Sequence, residues 1–182
     1  MKKITVLGGS GFIGSHLCDA LLKRKFKVKI LDLKKNKYLK KNFKFYHGSI
    51  LNMSVLSNAI KNSDIVFNFA GLADLDISQT KPLETAKLNI IGTINSLLMC
   101  KKYKIKKFIH ASSIYANTEE GGFYGCSKKA AEDYIEKFCA KNKVKFSILR
   151  FGSLYGARAG ISYANDRSAD NDTEDYKEFQ PN

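Results

Sequence analysis

Short apolar runs bounded by glycine or polar residues alternate along most of the chain with stretches in which apolar side chains return every three or four positions. The runs at 4–7, 28–31, 43–46, 65–69, 108–110 and 146–149 read as β-strands. Between them, Ile13, Leu17, Ala20 and Leu21 recur at helical spacing, and residues 53–60 make a short amphipathic stretch. A long helix is predicted from Thr80 as N-cap, with Pro82 in its first turn. Its apolar stripe is Leu83, Ala86, Ile90, Ile94, Leu97 and Leu98, and a last helix is marked by Ala131, Tyr134, Ile135 and Phe138. Strands alternating with helices predict an α/β fold, a doubly wound parallel sheet with helices on both faces. No internal repeat is visible, and 182 residues fit one such domain.

The pattern stops near Ala157. Residues 158–182 are rich in Asp, Asn and Ser with almost no aliphatic periodicity, and they are expected to be a flexible tail or the remnant of a substrate domain. Residues 1–157 are then the folded domain. Charge follows the same division. The tail carries three basic and six acidic residues, a net of −3, which leaves +17 of the chain's +14 total on residues 1–157.

That excess invites a nucleic-acid reading. The lysines are scattered singly and in pairs, however, and no aromatic-interleaved RNA motif accompanies them. Solvated surface, with attraction for an anionic cofactor and substrate, accounts for them better. The four cysteines form no CxxC pair and read as reduced, structural thiols of a cytoplasmic protein. The three histidines are dispersed, so no metal site is expected. The opening residues are too short for a signal peptide, and no apolar stretch is long enough to span a membrane.

Chemistry enters with Gly8-Gly9-Ser10-Gly11-Phe12-Ile13-Gly14, between the first strand and the first helix. In that context Gly8 permits a tight turn, Gly11 lets backbone approach a pyrophosphate, and Gly14 lets helix pack closely on strand. The helix start at Phe12 and Ile13 offers unpaired N–H groups and a positive dipole end to phosphates. Asp32 ends the second strand, where an acid accepts both adenosine ribose hydroxyls and repels a 2′-phosphate. The cofactor expected is NAD rather than NADP, although Lys34 and Lys35 follow closely.

Taken together, the glycine spacing, its Phe-Ile and the following Ser15-His16-Leu17 resemble the extended short-chain dehydrogenase/reductases, and within them the NAD-dependent epimerase/dehydratase family that acts on nucleotide sugars. The resemblance covers roughly residues 3–157 and implies a Rossmann-like fold, a nucleotide-sugar substrate and a homodimer. It also implies roles for particular residues. Ser49 and Ile50 stand where the family flanks adenine with an Asp-Ile pair, so Ser49 alters one hydrogen bond while Ile50 packs on the ring. Phe69-Ala70-Gly71 resembles the small-residue turn beneath the cofactor. Asn89 matches a helix signature, with a structural role or a catalytic-relay role both open. Ser153, after the sixth strand, is implied to meet the substrate diphosphate, and Ala157 replaces a usual proline.

Tyr124 and Lys128, four residues apart, share one face of the last helix. A phenol of pKa ~10 is a poor base at neutral pH, and a neighbouring ammonium stabilises its phenolate. By resemblance, a Ser or Thr just past the fifth strand hydrogen-bonds the reacting sugar hydroxyl. Counting forward from Phe108 selects Ser113; counting back from Ile114-Tyr115 selects Ala111, because this loop looks two residues short. Ser113 is the choice as catalytic serine, with Ser112 the alternative or a substrate contact. Family dehydratases follow this serine with an Asp-Glu pair; here Ile114-Tyr115 follows, so epimerisation or simple oxidation is expected before dehydration. The resemblance implies transient oxidation, with Tyr124 as base, Ser113 orienting the hydroxyl and Lys128 tuning Tyr124. Family members run considerably longer, and their later segments form the substrate domain. The alternative expectation is therefore a truncated or non-catalytic NAD-binding module with a binding or regulatory role.

Overall fold

The computed structural model describes residues 1–39 and 42–159, so the expectation of a flexible segment beyond residue 159 lies outside the described residues. Six strands form one sheet: β1 (Lys3–Leu7), β2 (Lys27–Asp32), β3 (Phe43–His47), β4 (Ile65–Asn68), β5 (Lys107–Ser113) and β6 (Lys145–Phe151). Their spatial order is β3-β2-β1-β4-β5-β6, and every pair is parallel. This is the doubly wound Rossmann-like sheet that the alternating pattern predicts. The chain reverses its direction of winding between β1 and β4, and a crevice opens there at the carboxyl ends of the strands.

Helices cover both faces. On one side, α1 (Phe12–Lys23) packs Cys18 and Leu21 against Ile4, Val6, Val28 and Ile30. On the other, α2 (Met53–Ile60), α5 (Gly92–Lys102) and α6 (Gly122–Asn142) enclose Leu7, Leu31, Val66 and Phe108. Central strands buried on both faces explain why the runs are continuously apolar rather than alternating. α2 begins at its capping signal, the Asn52 side chain accepting from Ser54 N and Val55 N at 3.1 Å each. The cysteines are free, with Cys18, Cys100 and Cys139 buried and Cys126 exposed.

Two expectations are corrected. The helix predicted from Thr80 starts two residues later: Thr80 ends a separate short helix, α3 (Leu75–Thr80), and the helical run from Pro82 continues unbroken through α4 (Pro82–Ala86), a π-helical turn (Lys87–Ile91) and α5. Thr80 belongs to the end of α3, where its hydroxyl donates to the Ile77 carbonyl, and Lys81 is the N-cap of α4. The fifth strand, predicted to end at His110, runs on through Ser113 because Ala111, Ser112 and Ser113 pair in register with Leu149, Arg150 and Phe151. Ser112 and Ser113 are therefore strand residues rather than loop residues.

Candidate functional site

A cavity of about 610 Å³ opens at the carboxyl ends of the strands. One end is the glycine turn. Gly8 has φ +75°, and a Cβ there would stand 2.5 Å from Ala70 N, so the turn is pressed against the β4 loop. A Cβ on Gly14 would run into the Gly8 carbonyl oxygen and come within 2.8 Å of Gly9 Cα. These two glycines are required by the protein's own packing. Gly11 is different: a Cβ there would meet only Gly8 O, at an ordinary 3.5 Å. Its bare backbone leaves room for something that enters the cavity. No side chain caps α1, whose first in-helix bond runs from Ser15 N to Gly11 O at 2.9 Å, so the first-turn N–H groups face the cavity beside Gly11, Phe12, Ile13 and Gly14.

Asp32, at the end of β2, lines the same end of the cavity. Its carboxylate accepts from Ser10 N and Leu33 N, both at 2.8 Å, and is thereby fixed relative to the glycine turn. Ser49 also lines the cavity, and its hydroxyl accepts from Leu51 N at 3.1 Å. Ile50 reaches the cavity from the core: it is 2% exposed, and a Cβ on Gly92 would come within 2.7 Å of its Cγ1. Phe69, Ala70 and Gly71 form the cavity floor after β4. A pyrophosphate at the helix start, a ribose at Asp32 and a ring over Ile50 would occupy groups that are already in place, so these residues fit a dinucleotide.

The other end holds Ser113, Tyr124 and Lys128, with Ser153 at the rim after β6. Ser112 and Ser113 both line this cavity, and both look toward α6: Ser113 neighbours Tyr124, and Ser112 neighbours Glu132 two turns further along. Burial pushes the Tyr124 phenol above its ordinary value, and its hydrogen bond with Ser113 draws it back down. The Lys128 ammonium is buried, donates to Ala111 O at 3.0 Å and lies 5.6 Å from the Tyr124 ring centroid. Its influence on Tyr124 thus acts across the ring face. Burial lowers Lys128 to about 8, opposed by the negative charge of Glu132.

Asn89, in the π-helical turn, accepts from Leu72 N at 2.8 Å and donates to Leu72 O and to Ser127 Oγ at 3.0 and 2.9 Å. Both ends of its amide are engaged in tying the β4 loop to α6, which favours its structural reading. The sequence reading missed three groups. Asp74 and Asp76 line the cavity from the start of α3, where Asp74 caps Ile77 N at 2.9 Å. His16 bonds Ala157 O at 2.7 Å, and Arg158 donates to Asp19 at 2.7 Å while lying over Tyr38. The segment after β6 is fastened across α1 by these contacts. Glu132 is the third. Among the described residues no group of side chains has metal-ligand geometry, and no helix is long and apolar enough to cross a membrane.

Comparison with known proteins agrees with this fold. The sequence matches the NAD dependent epimerase/dehydratase family over residues 4–171. It is 32% identical over 195 residues to a dTDP-D-glucose 4,6-dehydratase of Dictyostelium discoideum, covering 87% of this chain and 45% of that protein. It is 31% identical over 174 residues to a putative UDP-glucose 4-epimerase of Methanocaldococcus jannaschii, covering 85% and 57%. Among solved structures, the UDP-glucose 4-epimerase of Thermotoga maritima, determined with UDP-glucose, superimposes with a TM-score of 0.79 at 34% identity, over 86% of this chain and 57% of that one. The Thermus thermophilus UDP-glucose 4-epimerase in complex with NAD gives 0.79 at 28% identity, over 86% and 57%. The chain spans about half the length of the curated relatives it matches. On its sequence, its sheet order and its cavity, the chain belongs to the NAD-dependent epimerase/dehydratase family.

Proposed function

We propose that this chain binds NAD and carries the nucleotide-binding half of an epimerase that acts on a nucleotide sugar by transient oxidation of a sugar hydroxyl. One observation carries the reading: the glycine turn with Asp32 and the Ser113–Tyr124–Lys128 group line opposite ends of one cavity. NAD⁺, when bound, supplies the acceptor and later the donor of the hydride. Residues 8–14 hold the pyrophosphate through backbone N–H groups, and Asp32 selects the ribose hydroxyls. Ser113 orients the sugar hydroxyl, and the Tyr124 phenolate oxygen takes its proton. Lys128 stabilises that phenolate across the ring and reaches the cofactor ribose. Ser153 lies at the rim for the substrate diphosphate. Epimerisation is favoured over dehydration because Ile114 and Tyr115, rather than acids, follow Ser113.

The test is epimer formation, with NADH followed in single turnover, for a panel of UDP-, GDP- and dTDP-sugars, and NAD binding measured alongside. Epimerisation of one panel member supports the proposal. Protein that binds NAD and converts none would favour a non-catalytic NAD-binding module.

Asp32 makes a separate expectation. Asp32→Ala should weaken NAD⁺ about tenfold or more, since a hydrogen bond to a charged group contributes about 1.5–3 kcal/mol. It should also narrow the preference over NADP⁺, because a repulsive charge is removed. Calorimetric titration of both dinucleotides checks this, and a variant that keeps the wild-type preference would take Asp32 out of the recognition.

A further inference from the structure

One helical turn beyond Lys128 lies a buried carboxylate with no part in the mechanism above. Glu132 is 1% exposed, at the contact of α6 with β5 and β6. Arg150 on β6 donates to both its oxygens, from Nε at 2.9 Å and from Nη2 at 2.6 Å. Arg150 is itself held from the other side: Asn117, with its amide oriented to satisfy both ends, accepts from Nη1 at 2.8 Å. The strand register places Arg150 opposite Ser112, so the clamp closes against the end of β5 that leads into Ser113. An ion pair with one partner fully buried is expensive to desolvate and is weak evidence of a stabilising role. Its position relative to Lys128 gives it another use.

Glu132 and Lys128 are four residues apart on one helix and share a face. Other charged or titratable groups around Lys128 offer it little. On α6 the Tyr124 ring lies beneath the ammonium. On β5 His110 is buried and driven toward its neutral form, first by burial and then by Lys128 itself. On β6 Arg150 is a cation already committed to Glu132. Asp74 and Asp76 line the cavity from α3.

We propose that Glu132, clamped by Arg150, is a positioning residue that keeps the Lys128 side chain an ammonium at the Tyr124 ring. This rests on the reading of Tyr124 as the base that Lys128 supports, but it concerns a property of the chain without ligand. Burial alone would strip the proton from Lys128, and the Glu132 carboxylate is the group that opposes it. Arg150 in turn keeps Glu132 ionised: burial would raise its carboxyl, and the Arg150 hydrogen bonds and charge outweigh that. Ionised, clamped and buried, the carboxylate places a negative charge one helical turn from the ammonium, while its Arg150 partner stays in contact with solvent.

The experiment is a pH titration of the ligand-free chain, uniformly labelled with carbon-13 at lysine Cε and followed by NMR from neutral to strongly alkaline pH. The Lys128 resonance is identified by its loss in Lys128→Arg. In Glu132→Gln, which keeps the volume and an acceptor for Arg150, the Lys128 midpoint should fall by at least about one pH unit, the lower end of what a neighbouring opposite charge produces. Glu132→Asp keeps the charge but withdraws it by one methylene, so its midpoint should lie between wild type and the Gln variant. If the Gln variant does not fold, the Asp variant decides alone: a lowered midpoint supports the proposal, and an unchanged one overturns it. A folded Gln variant with the wild-type midpoint, or an Asp variant that falls as far as Gln, would also overturn it by showing a packing role only. None of these readouts needs NAD or a sugar, so a chain that fails to bind or oxidise them would defeat the functional proposal and leave this one to be judged on its own.

Discussion

Tyr124→Phe is expected to slow any sugar-nucleotide oxidation by this chain about 10²–10⁴-fold, the usual contribution of a general base, while NAD remains bound. The two effects separate because they belong to opposite ends of the cavity. The phenol oxygen neighbours Ser113, whereas the proposed pyrophosphate site is backbone at residues 8–14. Lys128→Ala should impair both rate and cofactor affinity, since the ammonium reaches both Tyr124 and the ribose in the proposed arrangement. Ser113→Ala should lower the rate more than Ser112→Ala, because the Ser113 hydroxyl neighbours Tyr124 and the Ser112 hydroxyl neighbours Glu132. Single-turnover NADH formation measures the first quantity and calorimetry the second. Near-normal turnover by Tyr124→Phe would remove that residue from the mechanism.

Gly14→Ala is expected to lose NAD binding and stability together. The added methyl group runs into the Gly8 carbonyl, which is backbone and has no rotamer in which to yield. Either α1 withdraws from the turn or the turn opens, and overpacking of this kind costs about 1–3 kcal/mol. Displacing α1 also moves the N–H groups that would hold the pyrophosphate. Gly11→Ala is the control that separates the two effects. Its methyl group would meet Gly8 O at an ordinary 3.5 Å, so the fold should melt at close to the wild-type temperature. The methyl group still faces the cavity, and NAD affinity should drop. Thermal melts with and without NAD distinguish the two variants. A Gly11→Ala protein that binds NAD normally would contradict the dinucleotide site proposed for the glycine turn.

Much of the fold is legible in the sequence because the central strands are buried on both faces and announce themselves as apolar runs. The glycine turn is legible because Gly8, Gly11 and Gly14 are local, and their spacing states the turn's geometry directly. Legibility fails where contacts cross the chain. β5 looked three residues too short because Ala111, Ser112 and Ser113 carry no apolar signal, and only pairing with β6 extends the strand. The long helix after Thr80 was legible from its apolar stripe, but the π-helical turn inside it was not, because its tie through Asn89 to Leu72 and Ser127 has no periodicity. The acids Asp74 and Asp76 were hidden in a helix of one and a half turns, too short for a period to show. His16 and Asp19 meet Ala157 and Arg158 across 141 and 139 residues of sequence. Glu132 carries no periodic or motif signal of its own, and its ion pair is with Arg150 on another element, so nothing local marks it as buried.

The most direct test of the account is calorimetric titration of the wild-type chain with NAD⁺ and, in parallel, with NADP⁺. The cavity bounded by the glycine turn and Asp32 predicts saturable binding of one NAD⁺ per chain, with NADP⁺ weaker. Folded protein that takes up no NAD⁺, or that binds NADP⁺ as tightly or more tightly, would contradict it.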